Sequence, residues 1–315
     1  MHQSLRSHYL LNKVSSNILN RPPNNKWDIS VLPEGCISTI LSFTSPQDVC
    51  VLSLVSMIFK SAGYSDVLWE KFLPSDYKDV IINNFSSKKE LYFHLCDNPL
   101  LLFEGNMSLN LERKSGKKCF MVGAKQLDIT GGDNPQYWKW ISHSCSRFAN
   151  VAELLNVCWL SIKGKINTRM LSPKTIYAVH MVIKFSEDTY GLDHAATDVN
   201  VEFVGGVGHA SGGRSVYLHS ECNMRPNVHY VRHQHQFGLL RHRYGHIIRP
   251  PTFLISTHFP SERRDGWMEI ELGEFYNDQG EDGEVEMSLS QSKSVHWKAG
   301  LIVQGIELRP KKNNA

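Results

Sequence analysis

The sequence predicts an α+β protein in which a small N-terminal helical domain precedes an antiparallel β-sandwich. Two patterns support this prediction. From Leu32 to about Phe72, apolar residues recur at the three- and four-residue spacing of a helix. From about Lys117 onward, apolar and polar residues alternate, as they do in strands that bury one side. A length of 315 residues is enough for about two domains.

Composition excludes several classes of protein. Hydrophobic residues make up 41% of the chain and charged residues 21%, as in ordinary globular proteins. No apolar run approaches the roughly 18 residues of a membrane-spanning helix, and no continuous apolar stretch marks a secretory signal. The seven cysteines are scattered without a C-x-x-C motif. We therefore expect reduced thiols, a cytoplasmic or nuclear location and no membrane partner.

The helical region contains clear helix starts. It opens at Leu32-Pro33-Glu34-Gly35, and a second helix begins at Ser45-Pro46-Gln47-Asp48. There the serine hydroxyl can cap a free N–H, proline suits the first helical position and aspartate suits the positive end of the helix dipole. Val49, Leu52 and Val55 then mark one face.

Two shorter helices are predicted to follow. One lies around Ile58-Phe59 and ends near Gly63, and the other runs from Asp66 to Phe72 and is stopped by Pro74. About forty residues of helix enclose only a small core. The surplus of apolar residues therefore has two explanations: they pack on the rest of the chain, or they dock a partner.

Alternating segments and glycine-containing turns predict the strands of the sandwich. The clearest strands are Cys158–Lys163, Tyr177–Lys184, Asp198–Phe203, Trp267–Leu272, Glu284–Leu289 and Leu301–Leu308.

The segment from Val207 to Arg264 interrupts this alternation and is rich in arginine, histidine and proline. Its strongest metal-ligand candidates are His229, His233, His235, His242 and His246. Their spacing fits no zinc motif, so we expect no metal and interpret the segment as a basic loop. The arginines predict only salt-sensitive, unspecific contact with phosphate, and we expect no nucleic-acid partner.

Motifs of the common enzyme classes are absent from the sequence. It contains no G-x-S-x-G, no phosphate-binding G-x-x-x-x-G-K-[ST], no H-E-x-x-H and no kinase signature. We expect no catalytic residue and no cofactor.

The helical region resembles an F-box over about forty residues, because its anchor residues follow in the order of that family. The resemblance implies a three-helix domain whose apolar face binds the Skp adaptor of a cullin-based ubiquitin ligase. The adaptor-binding residues that it implies are Leu32, Pro33, Ile37, Ile40, Leu41, Pro46, Leu52, Val55, Phe59 and Trp69. Ile58 stands where the family usually has a basic residue.

The β region is similar to the phloem protein 2 lectins of plants, which are related to the tobacco agglutinin. The motifs that carry this resemblance lie on both sides of the basic segment and include Asp133–Trp138, Val157–Leu160, Leu171–Pro173, Arg264–Ile270, His296–Leu301 and Gly305–Pro310. The resemblance implies a jelly-roll-like sandwich that binds N-acetylglucosamine oligomers or N-glycan cores.

A sugar site would combine an aromatic platform with polar groups for the hydroxyls. Tyr137 and Trp138 are the platform candidates, and Asp133 and Asn134 are the polar candidates. For Trp138 two roles are possible: it contacts the sugar, or it belongs to the core of the sandwich. Gly131 stands where the family usually has tryptophan, which removes stacking surface from the site.

Two further tryptophans lie in strand-like contexts. We predict that Trp159 and Trp297 belong to the core of the sandwich.

The basic segment is also a departure from the lectin family, in which the corresponding link is much shorter. Such an insertion costs little stability, so it is either a functional insertion or translated non-coding sequence from a mis-assigned gene boundary.

The predicted organisation is a disordered tail over 1–30, the F-box over 31–75, a helical linker over 76–116 and the lectin domain over 117–311, with an atypical insertion at about 207–258. The predicted function is substrate recognition in a Skp–cullin–F-box ubiquitin ligase, with a target protein that is glycosylated if the lectin half is active. The alternative is a lectin or stress-related protein that acts outside any ligase.

Overall fold

The structure is a computed structural model, and it describes residues 29–80, 85–192, 195–205, 208–218, 259–280, 283–291 and 296–311. Nearly all of the predicted tail, most of the predicted insertion and the five candidate histidines lie outside these residues. The chain divides into a helical unit, residues 1–93 and 113–116, and a β unit that contains the remainder.

Six α-helices occur in the described N-terminal part, after a short 3₁₀ turn over Ile29–Val31. They are α1 (Glu34–Leu41), α2 (Pro46–Leu52), α3 (Met57–Ala62), α4 (Asp66–Phe72), α5 (Tyr77–Val80) and α6 (Lys88–Asp97).

The predicted start of α2 is confirmed. The Asp48 amide donates to Ser45 Oγ at 3.1 Å, and the Ser45 amide donates back to Asp48 Oδ2 at 3.1 Å. This reciprocal capping box satisfies two N–H groups that the helix itself leaves free. The start of α3 is capped in a similar way, because the Phe59 amide donates to Ser56 Oγ at 3.3 Å.

The core of the helical unit is built around Trp69. Its indole contacts the rings of Phe72, Tyr92 and Phe93 at centroid distances of 5.1–5.7 Å, and its Nε1 donates to the carbonyl of Gly63 at 2.8 Å. These aromatic contacts and the satisfied N–H make Trp69 a fixed point for the surrounding helices.

The predicted helical linker over 76–116 is helical in its first part and differs from the prediction in its second part. Helices α5 and α6 are present, but strands β1 (Leu100–Leu102) and β2 (Met107–Leu111) form a hairpin after them. The turn has positive φ at Phe103, Glu104 and Gly105. Met107, Leu109 and Leu111 alternate with polar residues and are buried, which is the period of a strand.

The remaining strands are β3 (Lys118–Gly123), β4 (Asp128–Ile129), β5 (Trp138–Ile141), β6 (Val151–Leu154), β7 (Leu160–Asn167), β8 (Thr175–Tyr190), β9 (Thr197–Phe203), β10 (Arg214–Val216), β11 (Ser261–Glu262), β12 (Met268–Asn277), β13 (Glu284–Gln291) and β14 (Ala299–Pro310).

Within the described residues these strands form two antiparallel sheets. The larger has nine strands in the order β1-β2-β3-β14-β8-β12-β11, and β5 is attached through β6, which pairs with β14. The smaller has five strands in the order β10-β9-β13-β7-β4. The predicted α+β architecture with an antiparallel sandwich is therefore confirmed.

Interdigitated side chains fill the space between the two sheets. Phe275 of the larger sheet packs edge-to-face on Phe203 of the smaller sheet, with ring centroids 5.8 Å apart. At Gly164, a Cβ atom would lie 2.9 Å from Ile306 Cδ1 of the opposite sheet, so only glycine fits without repacking. The sheets thus pack at interior density, with no room for a further methyl group there.

A buried group of charges lies on the larger sheet. Glu307 of β14 accepts hydrogen bonds from Arg263 Nη1 at 2.7 Å and forms ion pairs with Arg147 at 2.8 Å and Arg309 at 3.4 Å. Burial alone would raise the pKa of Glu307, but the three guanidinium groups lower it overall. Arg263 also donates to Glu269 at 2.7 Å, so the charges compensate one another inside the protein.

Substitution of Glu307 by glutamine should be strongly destabilising. It leaves buried guanidinium groups without their shared counter-charge, and breaking a buried pair in this way typically costs about 3–5 kcal/mol. Urea denaturation of the purified protein measures the decrease in the free energy of unfolding.

The matched control is Glu286→Gln, which removes a carboxylate paired with two half-exposed lysines, Lys163 and Lys165. It should cost less than about 1 kcal/mol. Equal losses for the two variants would contradict the proposed role of the buried charges.

The buried imidazole of His180 predicts a pH dependence of stability. Burial, with a further contribution from Arg309, lowers the pKa of His180 to about 4, while the nearby carboxylates of Glu269, Glu271 and Glu307 oppose the shift. Because the unfolded chain takes up a proton at this histidine near pH 6.5 and the folded chain does not, stability should fall as the pH decreases from about 6.5 to 4.

The His180→Gln variant should lose this dependence, which is worth at most about 3 kcal/mol. Thermal unfolding at half-unit pH steps from pH 7.5 to 5.5 tests it, because ordinary carboxyl groups, with pKa values of about 4, remain mostly ionised in this range. If the melting temperatures of the two proteins change with pH in the same way, His180 is not the group that causes the pH dependence.

Candidate functional site

The helical unit exposes an unusual number of large apolar side chains. Between 38% and 88% of their surface is accessible. They lie before α1, at its C-terminal end, between α2 and α3, and around the start of α4: Val31, Leu32, Ile40, Phe43, Val51, Leu54, Val55, Met57, Tyr64 and Val67. An exposed set of this size on a small helical unit is typical of an interaction surface.

Six of the ten predicted adaptor-binding residues are at least partly accessible. Leu32, Pro33, Ile40 and Val55 are exposed, and Leu52 and Phe59 are half-buried. The most exposed members of the surface, Phe43 and Leu54, were not predicted from the sequence, because they lie in the turns after α1 and α2 and not on the periodic faces of the helices.

The other four predicted residues are buried, so the prediction that they contact a partner directly is not supported. Ile37, Leu41, Pro46 and Trp69 lie in the interior of the helical unit. The F-box resemblance supplied these residues as anchors of the motif, and such anchors include side chains that face the core as well as side chains that face outward. Their role is to hold the helices that carry the exposed surface.

The predicted sugar-binding residues lie in and after the turn between β4 and β5. Asp133 is exposed, and Asn134 is half-buried, with its Oδ1 accepting a hydrogen bond from the Gln136 amide at 3.0 Å. Tyr137 keeps 38% of its surface exposed. One aromatic ring and two polar side chains are therefore available to a ligand at this turn.

Trp138 is buried, which decides between the two interpretations of this residue. Only 2% of its surface is accessible, and its Nε1 donates to the carbonyl of Thr130 at 3.2 Å. It therefore supports the turn from below, and the prediction that it forms part of a sugar platform is wrong.

Gly131 fits the conformation of this turn. Its φ is +71°, and a Cβ atom at this position would lie 2.9 Å from Cδ2 of Tyr137. Glycine therefore allows the turn to approach the Tyr137 ring closely, so that Tyr137 supplies the exposed aromatic surface here.

The prediction that Trp159 and Trp297 belong to the core is wrong. Their side chains are 58% and 54% exposed. Trp159 immediately precedes β7, and Trp297 lies two residues before β14, so neither takes part in the strand alternation that determines burial. Together with Tyr190, which is 49% exposed at the end of β8, they add aromatic surface to the β unit.

No other chemistry is evident in the described part of the chain. It contains no group of three or more His, Cys, Asp or Glu side chains placed to hold a metal ion, and none of its helices is long and apolar enough to span a membrane. Burial raises the pKa of the Cys119 thiol to about 12, so this cysteine is not a nucleophile at neutral pH.

The described part of the chain thus combines a helical unit that exposes an apolar surface with a β-sandwich that exposes aromatic residues. The family model of the F-box domain matches residues 29–71, and that of phloem protein 2 matches residues 117–310.

The chain is similar to several proteins of Arabidopsis thaliana. F-box protein PP2-B10 is 44% identical over 89% of this chain and 93% of its own length. F-box protein SKIP3 is 41% identical over 89% of this chain and 88% of its own length. F-box protein VBF is 38% identical over 89% of this chain and 99% of its own length. The chain belongs to the plant F-box proteins that carry a phloem protein 2 domain.

Proposed function

We propose that this protein is the substrate-recognition subunit of a Skp–cullin–F-box ubiquitin ligase. The observation that carries the proposal is the exposed apolar surface of the helical unit, which lies within and just beside the segment that matches the F-box model. The Skp adaptor is the partner for this surface, and the cullin is reached through the adaptor. The protein itself performs no chemistry in this proposal.

The energetics of the exposed surface favour a stable protein partner. Burying one large aliphatic or aromatic side chain is worth about 1.5–3 kcal/mol. Only part of that sum appears as affinity, because association costs translational and rotational freedom. Phe43, Leu54 and Met57 are more than 70% exposed, so a partner that covers them gains most of their transfer free energy.

The β unit is the client-binding half in this proposal. We propose that it binds glycans or glycoproteins that contain N-acetylglucosamine, as its phloem protein 2 domain suggests. The exposed ring of Tyr137 can lie against the C–H face of a pyranose. Asp133 and Asn134 can bond to its hydroxyl groups. A lectin that acts outside any ligase would use the same β unit without the apolar surface of the helical unit.

Charge introduced on the apolar surface should weaken adaptor binding. Phe43→Asp and Leu54→Asp place a carboxylate where a partner must exclude water, so each should weaken the complex by about 10- to 100-fold. Both side chains are more than 80% exposed, so the fold should not change. Surface plasmon resonance with purified Skp adaptor measures the affinities.

Ile176→Asp is the control, because Ile176 is an exposed apolar residue on β8 of the β unit. It should bind the adaptor like the unchanged protein. If Phe43→Asp and Leu54→Asp also bind normally, the ligase proposal fails and a lectin acting alone becomes the better account.

Glycan binding should depend on Tyr137. Tyr137→Ala removes the exposed ring and should lower the affinity for N-acetylglucosamine oligomers at least tenfold, because stacking is lost. A glycan array followed by isothermal titration calorimetry measures this. Tyr276→Ala is the matched control, since Tyr276 is 37% exposed and Tyr137 is 38% exposed. Equal affinities for both variants would argue against this location of the site.

A further inference from the structure

The β unit has a second aromatic surface that the assignment of Tyr137 does not use. It consists of Trp159, Tyr190, Trp297 and the amide of Asn156, and we call it the tryptophan corner. Its three rings are each about half exposed. Leaving two indoles in water is unfavourable, so a surface of this kind indicates a ligand.

Pairing between distant segments brings these residues together. Val157 and Lys298 exchange backbone hydrogen bonds of 3.0 and 2.8 Å, which places residues 156–159 beside residues 296–299. Tyr190 pairs with Ala299 across the strands, and its hydroxyl donates to Asn156 Oδ1 at 2.8 Å. The four residues therefore lie close together along the backbone of the β unit.

A buried lysine links the two backbone segments that lead into the tryptophans. Lys298 has no accessible surface, and its Nζ donates to the carbonyl of Cys158 at 2.7 Å and to that of His296 at 2.8 Å. These carbonyls belong to the peptide bonds that lead into Trp159 and Trp297. Because one ammonium group holds both, the two peptide bonds keep a fixed separation, as expected for a preorganised site.

The tryptophan corner is continuous with the turn that carries Tyr137. The Leu155 amide donates to the carbonyl of Tyr137 at 2.8 Å, and Leu155 directly precedes Asn156. Neighbouring strands lie about 5 Å apart, and each residue advances about 3.3 Å along a strand. By these spacings, the backbone of Tyr137 lies on the order of 10–15 Å from that of Trp297. A ligand that contacts both must be extended.

We propose that the tryptophan corner is a second saccharide subsite, which binds the far end of an oligosaccharide held at Tyr137. The inference rests on the glycan half of the proposed function. The ring faces suit the C–H faces of pyranoses, and the Asn156 amide and the Tyr190 hydroxyl suit their hydroxyl or acetamido groups. The four side chains carry no charge, which favours a neutral glycan over a charged peptide segment.

The experiment measures the affinity of the full chain for N-acetylglucosamine oligomers of increasing length by isothermal titration calorimetry. Trp159→Ala and Trp297→Ala should each lower the affinity for long oligomers at least tenfold and leave the affinity for the shortest bound oligomer nearly unchanged. Tyr137→Ala should weaken both. Tyr276→Ala serves as the exposed-aromatic control, and melting temperatures confirm that every variant is folded.

Three outcomes would overturn the inference. If the tryptophan variants bind long oligomers like the unchanged protein while Tyr137→Ala does not, the subsite is absent but the proposed glycan binding stands. If the unchanged protein binds no glycan on an array while it still binds the Skp adaptor, the subsite and the glycan half fail together and the ligase half survives. If both tryptophan variants lose a peptide ligand and bind glycans normally, the corner recognises protein.

Discussion

The small core around Trp69 is the constraint on which the rest of the structure depends. Four aromatic rings and a few aliphatic side chains form the interior of the helical unit. Phe43, Leu54 and Met57 remain in water. A unit of this size buries a smaller fraction of its surface than a larger domain, so its surplus apolar residues are left to a partner.

The β unit, in contrast, has a large core, and this core supports side chains that are exposed at the ends of its strands. Close packing at Gly164 and the buried charges around Glu307 give it a fixed interior. On that base, Lys298 orders two segments that each expose a tryptophan. A rigid scaffold that presents aromatic rings at preset positions binds a flexible ligand at a lower entropic cost than mobile loops would.

Local chemistry explains which features could be predicted from the sequence. The start of α2 was predictable because Ser45, Pro46 and Asp48 act within one turn of helix. Strands β7, β8, β9, β12, β13 and β14 were predictable because their alternation is a property of each segment alone. The hairpin of β1 and β2 was missed, although Met107, Leu109 and Leu111 alternate, because it follows a helical segment closely.

Long-range contacts explain the errors. Lys298 and Cys158 are 140 residues apart, so no local pattern shows that Trp159 lies in water at the end of the sandwich. Trp138 was ambiguous for the same reason, since its burial depends on how the turn folds over it. In the helical unit, the F-box resemblance identified Ile37 and Leu41 as anchors but could not separate residues that face the core from residues that face outward.

Hydrogen exchange of the full chain with and without the Skp adaptor tests most directly whether another protein covers the exposed apolar surface of the helical unit. The amides around Phe43 and between Leu54 and Met57 should exchange quickly in the free protein and become protected in the complex, while the exchange of β8 and β14 should not change. A complex that leaves these turns unprotected, or that protects only the β unit, would contradict the central claim.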